Sequence, residues 1–238
     1  MPLMRITLLL ASLLLTGCSS INLSRYTQQK DPLESFNRKV YTFNDAVDRT
    51  VVKPVAKGYS AVMPDAAKTM VNNFFSNLDD VVVTANDLLQ FKFKQAASDG
   101  SRVIFNTTFG IFGLINITDR LEKHNEDFGQ TLGYWGVPSG PYLMLPILGP
   151  SSFRDGTGRY VDGYFSVINN TRHMPTRNEA WAAQGINTRA NLLDQEQVLE
   201  EAVIDRYSFI RDAYLMRRQS LVYDGNPPRP KYEEEEEE

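Results

Sequence analysis

The stretch from Phe128 to Phe153 restricts the fold of this chain more than any other feature. It contains no charged residue across 26 positions, and glycine and proline recur through it. Proline removes a backbone donor and glycine weakens a helix, so one continuous helix is excluded. The sequence predicts turns or a short hairpin around Pro138–Pro141. Tyrosine and tryptophan in this stretch favour a membrane–water boundary, and the alternative is a packed loop on a soluble domain.

The first eighteen residues have the composition of an export signal. Arg5 is followed by an apolar run, Ile6–Leu15, which ends in the sequence Leu-Thr-Gly-Cys at positions 15–18. The run is too short to cross a bilayer, which needs about 20 residues, so residues 1–17 are predicted to be a removable signal peptide. Leu-Thr-Gly-Cys resembles the lipobox of bacterial lipoproteins, in which the cysteine becomes the first residue. The alternatives are an ordinary secretory signal with a chance cysteine and a short buried helix.

The lipobox predicts that Cys18 carries a covalent diacylglycerol and an N-acyl chain, and no other cofactor is expected. Several acyl chains hold a protein firmly at a membrane, because each buried methylene contributes roughly 0.8 kcal/mol. By resemblance to enterobacterial sorting rules, the small neutral residue Ser19 indicates an outer-membrane destination. Since Cys18 is the only cysteine, the mature chain can form no disulfide, and its stability must come from packing and from the membrane.

Composition divides the rest of the chain into three parts. Residues 18–30 form a predicted tether, residues 31–223 a helical domain, and residues 224–238 a proline-rich and poly-Glu tail expected to be disordered. Loss of Arg5 with the signal leaves 24 of the 25 basic residues against 29 acidic ones, a formal charge of −5. Six acids form Glu233–Glu238, and without them the body is about +1. This balance offers no basic field for nucleic acid. An acidic docking role for the tail is the alternative.

Periodic apolar residues predict a mainly α domain with no sizeable sheet. Asp31, Pro32 and Glu34 are typical of a helix start, with Asp31 as the cap. Apolar residues then recur at spacings of three and four, which indicates an amphipathic helix, until Pro54 interrupts the pattern.

Further helices are predicted along the chain. One begins at Pro64-Asp65 and runs toward Phe75, and residues 81–89 either continue it or start a new helix. Thr176 and Glu179 have the spacing of a capping box, which predicts a helix start there. A long final helix is predicted to start at Asp194 and to continue without interruption through Tyr214.

Residues 103–118 form a second uncharged stretch, sixteen residues long. As a helix it would span roughly 24 Å at 1.5 Å per residue, which suits the depth of one membrane leaflet. Gly110 and Gly113 would weaken such a helix. The alternative is a buried core helix of a soluble protein, which is the commoner explanation for a run of this length.

Catalytic and metal-binding motifs are scarce. No Gly-x-Ser-x-Gly elbow, Walker loop or Gly-x-Gly-x-x-Gly fingerprint is present in the sequence. His124 and His173 lack the paired spacing of a zinc site. Ser151, Ser152 and Asp155 would form a triad with His173 only if the fold brought them together. The chain is therefore not expected to be an enzyme or a metalloprotein.

Blocks of sequence between residues 31 and 215 resemble the MlaA (VacJ) family of outer-membrane lipoproteins. The matching motifs, in chain order, are Asp31-Pro32-Leu33-Glu34-x-Phe36-Asn37-Arg38, Val52-Lys53-Pro54-Val55-Ala56, Asn73-Phe74-x-x-Asn77-Leu78, Phe128-Gly129-x-Thr131-Leu132-Gly133-x-x-Gly136-Val137, Gly140-Pro141-Tyr142-x-x-Leu145-Pro146, Ser152-x-Arg154-Asp155 and, more weakly, Thr188-Arg189-Ala190-x-Leu192-Leu193-Asp194. The terminal Glu run is a departure that is not associated with the family.

The resemblance implies a helical, ring-like protein that lies in the inner leaflet of the outer membrane and faces the periplasm. Family members form an amphipathic channel, through which phospholipids misplaced in the outer leaflet pass toward the periplasm, and so maintain lipid asymmetry. The resemblance also implies association with trimeric porins and transfer of lipid to the periplasmic carrier MlaC. An inner-membrane ABC transporter then receives the lipid, so this protein needs no nucleotide.

The glycine-rich block, residues 132–149, corresponds in this resemblance to the family's mobile hairpin beside the channel. We expect its aromatic side chains to shape or gate the lipid path and its glycines to permit movement. The residues concerned are Gly133, Tyr134, Trp135, Gly136, Gly140, Pro141 and Tyr142. The alternative is that these glycines only satisfy turns. Two other functions stay open: a phospholipid-degrading lipoprotein, and a structural or adhesive lipoprotein.

Overall fold

The computed structural model describes residues 31–196 and 203–228. The signal peptide 1–17, the tether 18–30 with its acylated Cys18, and the tail beyond residue 228 lie outside the described residues and stay predictions. The described chain is mainly helical with one two-stranded sheet, which confirms the predicted fold class. Its elements, in chain order, are α1 Glu34–Val47, a π-helical turn Asp48–Val52, α2 Lys53–Val62, α3 Asp65–Leu89, α4 Phe93–Thr108, α5 Phe128–Tyr134, β1 Tyr142–Leu145, β2 Gly149–Ser152, α6 Phe153–Phe165, α7 Met174–Asn191 and α8 Arg206–Val222.

The first helical segment passes through Pro54 rather than stopping at it. Proline clashes with the carbonyl four residues earlier in a regular helix, and the wider π-helical turn just before α2 relieves that clash. Pro54 then lies in the first turn of α2, where a missing N–H is tolerated. The predicted cap is wrong, because the Asp31 side chain makes no capping bond to α1. It accepts hydrogen bonds from Asn37 Nδ2, at 2.8 Å, and from the Tyr207 hydroxyl of α8.

Helices α3 and α4 pack side by side as a helical hairpin. The helix predicted to begin at Pro64 is confirmed, and it continues unbroken to Leu89. The connection to α4 is tight: Phe91 adopts a left-handed φ of 62°, and Lys92 N donates to Asp87 O at 2.9 Å.

The uncharged stretch 103–118 is not one helix. Helix α4 ends at Thr108, and Ile111, Phe112 and Gly113 follow with φ values of 53°, 55° and 87°. Left-handed backbone ends a helix, and Gly113 is placed where a Cβ would lie 2.7 Å from Asn77 Nδ2. The stretch is not a buried core helix either, since Phe109 and Phe112 are exposed.

The glycine- and proline-rich block contains the predicted hairpin, but at a different place. Strands β1 and β2 pair antiparallel, with Tyr142 opposite Ser152 and Leu145 opposite Gly149. The turn therefore spans residues 146–148 instead of Pro138–Pro141. Pro146 ends the pairing because it has no N–H to donate, whereas residues 137–140 form an extended connection from α5 to β1.

The last two helices begin at positions other than those predicted. Helix α7 starts one turn earlier than Thr176, with His173 as its cap. Residues 203–205 are not helical, and Asp205 caps α8 by accepting from Tyr207 N at 3.1 Å. A single long helix from Asp194 is therefore wrong, since the Asp205 carboxylate competes for the backbone and starts a new helix.

Polarity in this fold is inverted relative to a water-soluble protein. Among the described residues, nine apolar side chains are buried against eighteen polar or charged ones. Helix α4 buries Asp99, Arg102 and Asn106, while Ile104 and Phe105 point outward with exposures of 63% and 45%. Soluble domains bury apolar residues and expose polar ones, so this outer surface fits apolar surroundings. No helix within the described ranges is both long and apolar enough to cross a membrane.

Candidate functional site

Two asparagines of α1 hold the free edge of the hairpin. Asn37 Nδ2 donates to Tyr142 O at 3.1 Å, and Met144 N donates to Asn37 Oδ1 at 2.9 Å. Seven residues later, Asn44 Nδ2 donates to Leu145 O at 2.9 Å, and Ile147 N donates to Asn44 Oδ1 at 2.7 Å. Each side-chain amide thus replaces a neighbouring strand along the outer edge of β1. A spacing of seven places both amides on one face of the helix.

The hairpin tip is apolar and exposed. Ile147 and Leu148 at the turn are 76% and 52% exposed. Ile147 also has a φ of 65°, which is unusual for a β-branched residue and marks local strain. The side-chain contact that fixes the backbone of this residue is the amide of Asn44.

The hairpin base is buried among aromatic rings. Tyr142 and Met144 form a core cluster with Tyr207 of α8. The Tyr142 ring packs edge-on against Tyr207 and Tyr214, at centroid distances of 6.3 and 6.0 Å. Burial raises the pKa of the Tyr142 hydroxyl above its ordinary value. The base is therefore part of the packed interior, whereas the tip lies at the surface.

A charged network fixes the helices on the other side of the base. Ser152 ends β2 and caps α6, accepting from Asp155 N at 3.1 Å. The Asp155 carboxylate accepts from Arg218 Nη2 at 2.9 Å and from the Tyr214 hydroxyl at 2.6 Å. Arg218 also donates to both oxygens of Asp127, at 2.5 and 2.9 Å. Burial opposes ionisation of Asp155 and Asp127, but their contacts with Arg218 leave the pKa of each below its usual range.

Two of the candidate glycines have structural roles. Gly136 follows α5 with a φ of 87°, and Val137 N donates to Leu132 O at 2.9 Å. Together with the bond from Gly136 N to Gly133 O, this is a Schellman cap, which requires the left-handed conformation that glycine adopts freely. A Cβ on Gly133 would lie 2.8 Å from side-chain atoms of Arg154 and Val222, so packing requires glycine there.

The other candidate residues lie in different environments. Gly140 has a φ of 68° and Pro141 leads directly into β1. Tyr134 and Trp135, at the end of α5, are each about half exposed. Lys92 Nζ lies 5.7 Å from the centre of the Tyr134 ring. The fold therefore separates the exposed pair from the buried Tyr142, and the gating role of all seven residues stays a prediction.

Sequence reasoning missed Asn37 and Asn44 as hairpin contacts. Both are polar residues in an otherwise amphipathic helix, and Asn37 is fully buried. Their repeat at two helical turns, on one face, was the available signal. It does not say which strand they contact, because β1 is about 100 residues away in sequence.

A second group of buried charges lies between α3, α4 and the segment before α5. Asp87 is fully buried, and neither of its carboxylate oxygens has a hydrogen-bond partner among the described residues. Burial, followed by the nearby carboxylates of Asp99 and Glu126, raises the pKa of Asp87 to about 7, against the opposing effect of His124 and Lys92.

The residues considered for a catalytic triad have separate partners. Ser152 and His173 cap different helices, and Asp155 is bound to Arg218 and Tyr214. His124 Nδ1 lies 2.7 Å from Asp99 Oδ2. Within the described residues, no group of three or more histidine, cysteine or acidic side chains is arranged to hold a metal ion.

Comparison with known proteins gives a consistent result. The model of the MlaA lipoprotein family matches residues 29–221. The intermembrane phospholipid transport system lipoprotein MlaA of Escherichia coli K12 is 35% identical over 226 residues, which cover 92% of this chain and 88% of that protein. The protein of the same description from Haemophilus influenzae KW20 is 33% identical over 227 residues, covering 92% and 90%.

A solved structure agrees with these relatives. It describes the structural basis for maintenance of bacterial outer membrane lipid asymmetry, and it matches this fold with a TM-score of 0.72 at 32% identity. The match covers 82% of this chain and 99% of the solved chain. The resemblance drawn from the sequence motifs is thereby confirmed, and the chain belongs to the MlaA lipoprotein family.

Proposed function

We propose that this protein is the outer-membrane lipoprotein of a phospholipid transport system. It provides an amphipathic path by which phospholipids misplaced in the outer leaflet leave that leaflet, and it thereby maintains lipid asymmetry. The proposal is supported by the relatives named as phospholipid transport lipoproteins and by the neighbouring structure concerned with outer-membrane lipid asymmetry.

The inverted polarity of the fold is the observation that carries the proposal. A lipid headgroup that crosses bare hydrocarbon loses hydrogen bonds, at a cost of several kcal/mol for each unpaired polar group. A protein with polar side chains inside and apolar side chains outside offers the headgroup polar partners while the acyl tails stay in apolar surroundings. Buried Asn77, Asn86 and Asn106, against exposed Phe105, Phe109 and Phe112, have this arrangement.

Anchoring and partners complete the proposal. Acyl chains on Cys18 hold the protein in the inner leaflet of the outer membrane, facing the periplasm. Trimeric porins are its membrane partners, and a periplasmic carrier of the MlaC type accepts the lipid. Transport of this kind requires no catalytic residue and no nucleotide, only phospholipid and membrane.

The hairpin is the element proposed to regulate the path. Its base is fixed by Tyr142 and its tip by Asn44, so that release of the tip leaves the base in place. Gly140, between α5 and β1, has a left-handed φ of 68°, and Pro141 O accepts a hydrogen bond from Phe153 N at 3.2 Å, so the backbone pairing of the hairpin base extends to this point.

The test is complementation of a strain that lacks its own MlaA protein. Phospholipid in the outer leaflet is measured by labelling surface amines with an impermeant reagent. We expect the wild-type chain to lower the surface label, and Cys18→Ala to fail at an equal protein level because the anchor is lost. Unchanged label with the wild-type chain would contradict the proposal.

A second assay distinguishes transport from lipid degradation. Purified protein is incubated with phospholipid vesicles, and lysophospholipid and fatty acid are measured by mass spectrometry. Transport predicts neither product, whereas a phospholipid-degrading lipoprotein would release both over time.

A further inference from the structure

A polar cavity of about 440 Å³ lies between α3, α4 and the segment that follows α4. Nine of its ten lining residues are polar, and the exception is Leu121. Four of them are asparagines, and the cavity is called the asparagine pocket below: Asn73, Asn77, Asn106 and Asn116. The size suits a small polar group of several heavy atoms rather than a single ion.

The wall of the asparagine pocket is preorganised. Asn73 Nδ2 donates to Leu114 O at 3.2 Å, and Asn77 Nδ2 donates to Thr107 Oγ1 at 2.9 Å. Asn106 Nδ2 donates to Thr118 Oγ1 at 3.0 Å. Each amide is therefore held in one orientation before any ligand arrives, which lowers the entropic cost of binding.

One acceptor in this wall has no partner. Asn77 is 4% exposed, and its Oδ1 accepts no hydrogen bond from any described residue. A buried amide oxygen without a donor is unfavourable, so a small shift of this wall that brings the oxygen to a ligand N–H or O–H would be favoured.

The charges around the pocket select against an anion. The two cations of the lining, Arg102 and Lys123, both lie against the buried carboxylate of Asp80, at 3.2 and 2.8 Å. Two further carboxylates, those of Asp119 and Glu122, belong to the lining. Arg102 Nε also lies 3.9 Å from Asp99 Oδ1, so four negative groups accompany two positive ones, and a headgroup with a net negative charge gains little there. A zwitterion finds both a cation and carboxylates.

Apolar side chains lie directly beside the pocket. Ile115 and Ile117 flank Asn116 in sequence and are 43% and 46% exposed, and Phe112 is 74% exposed. A free water-soluble metabolite has no apolar part to bury against such a surface, whereas the acyl chains of a lipid can be buried there. The juxtaposition therefore favours a lipid as the source of the polar group.

We propose that the asparagine pocket binds the phosphoethanolamine headgroup of a phospholipid. The ammonium group lies toward the carboxylates of Asp119 and Glu122, and the phosphate lies toward Lys123, the more exposed of the two cations. The inference rests on the proposed function and adds the headgroup class that the path prefers, namely zwitterionic over anionic lipid.

The test uses the full acylated chain in nanodiscs with equal amounts of phosphatidylethanolamine and phosphatidylglycerol. Retained lipid is counted by native mass spectrometry after release from the disc. The wild-type chain should retain phosphatidylethanolamine in about 1.4- to fivefold excess, since exposed charge pairs contribute 0.2–1 kcal/mol. The double variant Asp119→Asn, Glu122→Gln removes two negative charges and should abolish or reverse the excess. Asparagine at position 119 keeps the oxygen that accepts from Asn116 Nδ2.

A matched control removes the same charge elsewhere. Asp65→Asn with Glu179→Gln changes two exposed carboxylates that do not line the pocket, and it should keep the excess. Circular dichroism checks that both double variants fold as the wild type does.

The outcomes separate the headgroup preference from the function. Retained phospholipid without an excess, or an excess that the pocket variant leaves unchanged, would overturn the assignment and leave the proposed function standing. No retained phospholipid of either class would count against both. A further experiment titrates soluble phosphoethanolamine into the delipidated protein and follows the NMR signals of the side-chain amides. Binding as tight as that of the lipid would assign the pocket to a free metabolite and overturn the proposal.

Discussion

The base and the tip of the β-hairpin are held by different kinds of contact. The base contains Tyr142 and Met144, which are buried against Tyr207. At the end of β2, Ser152 accepts a hydrogen bond from Asp155 N, and the Asp155 carboxylate binds Arg218. The tip, with Ile147, is exposed and is held by a side-chain amide of α1. Only a few residues separate the two. One small sheet thus combines a packed end that stabilises the fold with an exposed end held by one side-chain amide, and this second end is the one that we propose to be released.

Removal of the cation beneath the base should have the largest effect on stability. Arg218→Met keeps most of the side-chain volume but leaves Asp127 without its cation, while Asp155 keeps only Arg154, whose Nη2 lies 3.1 Å from Asp155 Oδ1. We expect the free energy of unfolding to fall by about 3 kcal/mol, the lower end for breaking a buried ion pair, because Asp155 stays partly compensated. Chemical unfolding in detergent measures the change, and Arg218→Lys should lose less. A loss of under about 1 kcal/mol would mean that the base does not depend on this network.

The next effect should come from Asn37, on the base side of α1. Asn37→Ala leaves Tyr142 O and Met144 N without their side-chain partner in a buried site. The expected loss of stability is about 2–3 kcal/mol. Thermal unfolding checks this against Asn125→Ala, an exposed asparagine. Equal unfolding temperatures for the two variants would contradict the role of Asn37.

Acid should weaken the base and spare the tip. The folded-state pKa values of Asp155 and Asp127 are lowered, so their stabilisation is present above the unfolded-state pKa of about 4 and is lost as the pH falls below it. Asn44 does not titrate, so its contact is insensitive to acid.

The acid experiment is best made in an Asp87→Asn background. The folded-state pKa of Asp87 is raised to about 7, so this group contributes stability at low pH that is lost as the pH rises toward 7. Its effect has the opposite sign and would mask part of the change. Because the pKa of Asp162 is also raised, to about 6, its opposite effect is complete only near pH 4, and unfolding midpoints that do not fall between pH 4 and pH 3 in this background would contradict the charged base.

The smallest effect on stability, with a distinct effect on function, should come from Asn44. Asn44→Ala removes two partly exposed hydrogen bonds, at a cost of about 0.5–1.5 kcal/mol. Because the tip is released while the base is retained, the surface phospholipid of a complemented strain should change although the protein level does not. A variant with unchanged surface label would indicate that the tip contact has no role in transport.

The sequence predicted the class of this fold better than its contacts. Helical periodicity and the Pro64-Asp65 start located α3, because these signals depend on neighbours within a few residues. The hairpin turn was misplaced because Pro138–Pro141 carry stronger turn residues than residues 146–148, which are Pro-Ile-Leu, and only the strand pairing places the turn at the weaker signal. The contacts of Asn37 and Asp31 join residues more than 100 positions apart, which no local pattern encodes. The inverted polarity could not be predicted from local patterns either. An apolar face in the sequence does not tell whether it points into the protein or outward, and only the burial of each side chain in the fold shows this.

The most direct test of this account is a covalent lock on the tip. Cysteines at positions 44 and 147 replace the side chains at the contact between Asn44 and the Ile147 backbone, in a chain whose only other cysteine is Cys18, the predicted acylation site. Cross-linking should block the release of phospholipid from the outer leaflet in a complemented strain, and a reducing agent should restore it in the same cells. Full activity of the cross-linked protein would contradict a tip that must leave α1 for lipid to pass.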